Sequence, residues 1–181
     1  MSTYAIAPFT AIEDSREVED LGIRVGDMVI FKTDFVQMSN PNYLCSKAWD
    51  DRVGVAIDST YAKDVPQAKY GTNLGSGVTL SVMDGGTISN RELVYYMEDL
   101  CKELGIDFVY DFFPRGATDS EFIHLNRSGV VNMTLSIPSR YIHAHRSIIH
   151  RKDYADTVKL LVEFCKRVDW DLVKKLQASN R

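Results

Sequence analysis

Cysteine is scarce in this chain and poorly placed for pairing. The three that occur, Cys45, Cys101 and Cys165, are odd in number, widely spaced and without a CxxC. They argue against zinc-finger spacing and predict reduced thiols in a cytoplasmic protein. Long apolar runs are missing too, and no stretch approaches the length of a membrane span, so no membrane partner is expected. The N-terminus, Met1 to Pro8, lacks the basic residues and apolar core of a secretory signal. Positive charge is also in short supply. Against 25 Asp and Glu stand 21 Lys and Arg, a net charge of −4. Such a balance offers no field for gripping phosphate backbones, and nucleic acid is not an expected partner. Repeats and low-complexity segments are absent.

What remains is ordinary globular material. A length of 181 residues, 45% hydrophobic and 25% charged, suits one soluble domain, or one with a small appendage. Residues 1–46 read as a partial β-rich piece too small to fold alone. Asp14 with Glu17 forms a capping box for a short helix that Gly22 closes, and Met28 to Phe31 reads as a strand. Asn40-Pro41-Asn42 is a turn into a strand at Tyr43-Leu44-Cys45. From residue 47 onward, strands alternate with helices, which predicts an α/β domain of layered α/β/α type. Val78 to Met83 is a strand. Ser89 with Glu92 caps a helix carrying Leu93, Met97, Leu100, Cys101 and Leu104, which Gly105 ends. Phe108 to Phe113 is a strand stopped by Pro114. Thr118 with Glu121 opens another helix with Phe122, Ile123 and Leu125. Val130 to Ile137 is a strand, and Lys152 to Val168 is amphipathic, with Tyr154, Val158, Leu161 and Cys165 on one face. Between Ser59 and Ser76 no periodicity is visible, and the stretch reads as a long loop.

Three stretches carry candidate chemistry. In Lys47-Ala48-Trp49-Asp50-Asp51-Arg52-Val53-Gly54, two adjacent carboxylates precede an apolar run that ends at Asp58. Adjacent Asp residues cannot flank a glycosidic bond as glycosidase carboxylates do. They suit a hard-oxygen metal site, one bridging two cations while its neighbour orients a ligand. A polar loop leading into a strand is the plain alternative. In Ser139-Arg140-Tyr141-Ile142-His143-Ala144-His145, an extended backbone would put His143 and His145 on one face, within reach of a common cation. Taken alone, each is more often a surface or hydrogen-bonded histidine. Arg115-Gly116-Ala117-Thr118-Asp119-Ser120 is a glycine-containing turn into a helix. It offers backbone N–H groups to a carboxylate or carbonyl, or simply caps the helix.

Taken in order, Lys-Ala-Trp-Asp-Asp-Arg-Val-Gly, Gly-Ala-Thr-Asp and Ser-Ile-Pro-Ser-Arg-Tyr-Ile-His resemble the TET-type metallo-aminopeptidases. These are the glutamyl-aminopeptidase and FrvX-like enzymes, some formerly labelled endoglucanases. Leu21 to Val29 resembles part of that family's inserted β domain, and the resemblance runs from about Ile12 to Val168. It implies a hydrolase that releases N-terminal residues from peptides, uses two divalent metal ions (zinc or cobalt) and assembles into homo-oligomers. By motif, Asp50 matches the carboxylate bridging both metals and Asp51 the Asp supporting it. Asp58 matches a terminal metal ligand and His143 a histidine ligand. Gly116, Thr118 and Asp119 match the segment lining the substrate cleft. In such a site a water shared by two cations becomes the nucleophile while the metals polarise the peptide carbonyl.

The chain also departs from the family pattern. Relatives carry a metal-binding His-x-Asp near the N-terminus, and this sequence is expected to begin after that point. They also carry a Glu-Glu pair, one Glu being the general base, in a segment for which no room is left after Gly54. His145 and His150 stand where relatives carry other residues and are candidate replacement ligands. Glu121 is a weaker candidate for a substitute base. The alternative to an enzyme is an inactive homologue serving as an assembly or binding module, or one part of a split enzyme.

Overall fold

The computed structural model describes residues 15–28, 33–47, 49–52, 58–61, 72–114 and 116–179, and in it the chain divides into two compact units, Met1–Thr33 and Asp34–Arg181. In the first unit, α1 (Ser15–Asp20) ends at Gly22, which adopts φ 78° and donates its N–H to the Glu19 carbonyl at 2.8 Å. That is the left-handed stop expected of a glycine after a helix. The capping residue Asp14 and the strand residues Val29 to Phe31 lie outside the described residues.

The second unit is built on a seven-stranded mixed sheet. Its strands are β1 (Val36–Gln37), β2 (Tyr43–Ser46), β3 (Asp58–Tyr61), β4 (Val78–Asp84), β5 (Phe108–Phe113), β6 (Leu135–Arg140) and β7 (Ser147–His150). The order is β1-β2-β7-β6-β4-β5, with β3 paired to β6 off that path. β2 pairs along all of β7, so the boundary expected after Ser46 falls inside this unit's sheet. β6 is the hub. It runs parallel to β3 and antiparallel to β4 and β7.

Helices complete the described part of this unit. They are α3 (Arg91–Leu104), α4 (Ser120–Ile123), α5 (Arg151–Arg167) and α6 (Trp170–Ala178), alongside the short α2 (Trp49–Arg52). α3 buries Met97, Leu100 and Cys101 against Val78, Leu80, Ile106, Leu135 and Leu160, with Leu93 and Leu104 at the margin of the cluster, and Val94 is buried as well. A smaller cluster of Leu44, Ile137 and Ile149 lies where β2, β6 and β7 meet.

Local differences from the sequence reading have physical causes. The cap of α3 is Asn90 rather than Ser89, because the Asn90 side chain accepts the Leu93 N–H at 2.9 Å. β6 begins at Leu135 rather than Val130 and runs through Pro138. Upstream of it, the backbone is satisfied by single bonds, Asn90 N–H to the Asn132 carbonyl and Ser81 N–H to the Thr134 carbonyl. β3 occupies Asp58–Tyr61, part of the expected loop. α4 is a single turn, and Phe122, Ile123 and Leu125 are exposed. On α5 the fully buried column is Asp153, Thr157 and Leu160, not the line through Tyr154 and Cys165.

That rotation of α5 follows from one carboxylate. Asp153 accepts the Gly75 N–H at 2.7 Å and the Gly77 N–H at 3.0 Å, fastening the approach to β4 onto the first turn of α5. Gly77 has φ 97°, and a Cβ there would lie 2.0 Å from the Asp107 carbonyl oxygen. No other residue type fits.

Candidate functional site

The two residues on which the family motifs converge meet at one end of the sheet. Asp50 lies in α2, and His143 lies in the turn joining β6 to β7. His143 Nε2 is 2.9 Å from Asp50 Oδ2. The carboxylate is mostly buried and the imidazole mostly exposed, at 18% and 81% of their side-chain surface. α2 is anchored by Trp49, whose ring packs on the Leu44–Ile137–Ile149 cluster and meets Phe35 edge-on at 6.3 Å. The turn is held in a rare backbone form, with φ 57° at Tyr141 and 64° at His143. Non-glycine residues seldom adopt that region, and it costs on the order of 1–3 kcal/mol. An extended backbone from Ser139 to His145, which would have aligned His143 with His145, is therefore not what forms.

The remaining expected residues are dispersed. Asp51 follows Asp50 in α2; its side chain, like that of Asp58, lies outside the described residues. Asp58 is the first residue of β3, its Cα opposite Ser136 near the start of β6, whereas His143 follows the end of β6. His150 is turned inward. Its ring meets Tyr43 edge-on at 5.2 Å, and its Nδ1 lies 3.7 Å from Asp153 Oδ1. His145 has an interaction partner of its own. Glu121 sits against Gly86, remote in the fold from His143.

Gly116, Thr118 and Asp119 belong to a second constellation. β4 is antiparallel to β6, with Leu80 opposite Leu135, so the C-terminal end of β4 lies at the far end of β6 from His143. There the sequence reading missed a residue, Asp84. It is buried, and its Oδ1 accepts from Gly86 N–H at 2.8 Å and Thr87 N–H at 2.7 Å. Its Oδ2 accepts from Thr118 N–H at 3.2 Å and Thr118 Oγ1 at 2.8 Å, with Ser120 Oγ 3.5 Å away. Thr118 therefore spends its hydroxyl on Asp84 rather than on capping α4, and Asp119 at the cap makes no side-chain cap bond. Gly116 is needed for a close approach, since a Cβ there would fall 1.8 Å from the Phe113 ring. The available signal was an Asp before Gly85-Gly86 at the end of a strand.

Could the described residues hold the metal ions that the family resemblance implies? A zinc ion bound by one imidazole and one carboxylate would hold their donor atoms about 2.9–3.4 Å apart. The Asp50–His143 separation of 2.9 Å fits a shared cation. Yet among the described residues no group of three or more His, Cys, Asp or Glu side chains forms a metal-binding cluster. The pair fits one ion incompletely, and no dinuclear set is assembled from those residues.

A model of the M42 glutamyl aminopeptidase family matches residues 10–57 and 54–160. The chain belongs to that family. The two matched stretches meet at residues 54–57, where Gly54 runs into the approach to Asp58. Lysyl aminopeptidase of Pyrococcus furiosus is 34% identical over 132 residues, covering 70% of this chain and 37% of that enzyme. Aminopeptidase APDkam598 from Desulfurococcus kamchatkensis superposes with a TM-score of 0.81 at 27% identity, covering 90% of this chain and 59% of the other. The TET1 peptidase of Pyrococcus horikoshii, which can assemble into a tetrahedron or a large octahedral shell, matches with a TM-score of 0.59 at 20% identity, covering 72% and 52%. The chain spans between 34% and 53% of the length of the first three curated relatives it matches. The α/β architecture expected from the sequence is that of these enzymes. Among the described residues, no helix is long and apolar enough to cross a membrane, and the three cysteines are unpaired.

Proposed function

We propose that this chain works as a metal-dependent aminopeptidase-type hydrolase, releasing N-terminal residues from peptides, with Asp50 and His143 holding a divalent cation. The 2.9 Å approach of the two side chains carries this reading. Zinc or cobalt is the cation proposed, and when bound it supplies a Lewis acid and an activated water. The chain's own contribution is orientation. Asp50, set in α2, pairs directly with His143 Nε2, a contact that a cation would replace, and the left-handed turn fixes the ring's origin. Asp51 is proposed as support for Asp50, and Asp58 as a terminal metal ligand. The substrate role expected of Gly116, Thr118 and Asp119 is not carried into this proposal, because their turn is committed to Asp84 at the other end of β6. A homo-oligomer in the cytoplasm is proposed from the assembling relative and the unpaired thiols.

The test is release of the N-terminal residue from short peptides, with zinc or cobalt added. Turnover should vanish in Asp50→Ala and in His143→Ala; full turnover in both would sink the proposal. No residue of the matched motifs supplies the family's general base, so turnover should run about 10²- to 10⁴-fold below that of a relative with one. A second reading is favoured by the way the family model matches, in two separate stretches that overlap at residues 54–57. On that reading the chain is inert alone, as a binding module or as one part of a split enzyme. Activity that appears only when a second polypeptide carrying the Glu-Glu segment is added would decide for the split enzyme.

A further inference from the structure

We propose that the outer edge of β5 is an interface, through which two copies of this chain pair antiparallel about a two-fold axis and join their sheets into one. The inference is independent of the peptidase reading. It gives the homo-oligomer proposed above a surface.

β5 closes one end of the described sheet, beyond β4. Its sequence, Phe108-Val109-Tyr110-Asp111-Phe112-Phe113, holds four aromatic residues, yet none of its six positions is buried. β6, on the other side of β4, is buried at five of its six. Tyr110 and Phe112 are 48% and 57% exposed. Edge strands that stay single are blunted by lysine, proline or a bulge. β5 contains neither lysine nor proline, and the extra residue in its ladder, between Ser81 and Met83, belongs to β4. A two-fold axis between Tyr110 and Asp111 sets Val109 opposite the partner subunit's Phe112 and Phe108 opposite the partner subunit's Phe113. Apolar then meets apolar across the seam, and the two Asp111 carboxylates are not set directly opposite each other.

The helical layer suits the same arrangement. α3 packs on Val78 and Leu80 of β4, with Phe108 of β5 at the margin of that cluster. Strands lie about 4.8 Å apart. The helix and its copy, each over its own β4–β5 pair, then stand about 10 Å apart, the spacing of packed helices. Arg91, Tyr95, Glu98 and Lys102 recur at helical spacing along α3. Glu98 is level with Tyr110, whose hydroxyl donates to its carboxylate. An axis beside Tyr110 therefore brings Lys102 level with the partner subunit's Tyr95, an ammonium against an aromatic ring. Both residues are exposed. Glu98, nearest the axis, has its charge met by Lys102 at 2.6 Å and by Tyr110. The column mixes both signs, so no single-sign field opposes the pairing.

The experiment is sedimentation velocity on the full chain and on lysine variants, with circular dichroism to check folding. Phe112→Lys puts a charge on the seam at an exposed position, and Trp170→Lys, exposed on α6, is the control away from it. The parent should sediment as a dimer or a larger assembly. Phe112→Lys should fall to half that mass or less, with Trp170→Lys unchanged. The β5 amides should also exchange faster in Phe112→Lys than in the parent. Tyr95→Lys reaches the seam from α3 and decides the matter by the same halving should Phe112→Lys not fold. A monomeric parent would overturn the inference, as would a folded Phe112→Lys chain that keeps the parent's mass. The second result would leave the homo-oligomer standing on another surface. A monomer that gains mass only with an added extended apolar peptide would also overturn it, giving the β5 edge to strand addition by a peptide.

Discussion

Asp84 Oδ2 accepts the Thr118 hydroxyl proton at 2.8 Å, tying the end of β4 to the turn before α4. That assignment orders a small network. A threonine hydroxyl has one proton to give, and here it goes to a carboxylate that can only accept. The Ser120 hydroxyl at 2.6 Å and the Thr134 hydroxyl at 3.1 Å must then donate to Thr118 Oγ1. Each oxygen in the set has a defined role, and Asp84 sits at the end of the chain of donors. Removing it strands two backbone N–H groups of the Gly86–Thr87 turn together with the N–H and hydroxyl of Thr118.

Asp84→Ala should therefore cost about 3 kcal/mol or more, because several buried donors lose their acceptor at once. Thr118→Val should cost less, about 1–2 kcal/mol, since Asp84 keeps its other donors. Urea unfolding of the two variants against the parent measures both. A change below about 0.5 kcal/mol for Asp84→Ala would show that water replaces the carboxylate, and the network would then carry little stability.

Asp153 makes the opposite prediction to most buried acids that stabilise a fold. Burial pushes its carboxyl above the ordinary value near 3.8, while hydrogen bonds from Gly75 and Gly77 act the other way and His150 assists them. The folded chain thus binds the Asp153 proton more tightly than the unfolded chain does. Stability from this group is fully present below the unfolded value and declines as pH rises through the folded one. Asp153→Asn should flatten the decline just above pH 3.8, although it also loses one of the two backbone hydrogen bonds. Stability curves measured against pH for parent and variant should diverge in slope there. Parallel curves would mean that the backbone bonds balance burial, and a parent curve that rises relative to the variant's would mean that they outweigh it.

The thiols give a direct check on packing. Cys101 is fully buried, and burial pushes its thiol up to about 12, with the Asp156 and Glu98 charges adding to the effect. Cys165 is exposed on α5. Since the thiolate is the reactive form, a disulfide reagent at neutral pH should modify Cys165 quickly and Cys101 only as the protein unfolds. Cys165→Ser should remove the fast phase. Rapid labelling of Cys101 in the folded protein would contradict the core described for α3 and β4.

The same elements show what a sequence can disclose. β5 was legible to the residue, because Phe108 to Phe113 is rich in aromatic residues and Pro114 ends it by local chemistry alone. α5 was legible in extent but not in orientation. Its buried column depends on Asp153 meeting Gly75 and Gly77, a contact 76 to 78 residues away that periodicity does not carry. β6 was misplaced for a similar reason. Val130 to Met133 has the composition of a strand, yet pairing with β4 starts only at Leu135. At the candidate site, Asp50 and His143 were legible through motif order, and the structure brings them together. Asp84 was not, since its partners Thr118 and Ser120 lie 34 and 36 residues on.

His143 holds a left-handed backbone, φ 64°, that glycine adopts without penalty. If the turn were selected for stability alone, glycine would be the better residue. His143→Gly should relieve about 1–2 kcal/mol of backbone strain. Against that stand about 0.4–1 kcal/mol for the freer unfolded chain and at most about 1 kcal/mol for a half-exposed pair with Asp50. The terms nearly cancel, so the melting temperature should stay within a few degrees of the parent. Cation binding should nevertheless disappear, because the imidazole is gone. Unchanged stability with lost binding would mark the strain at His143 as the cost of placing a ligand. A large drop in stability would instead make His143 a structural residue, its contact with Asp50 serving the fold.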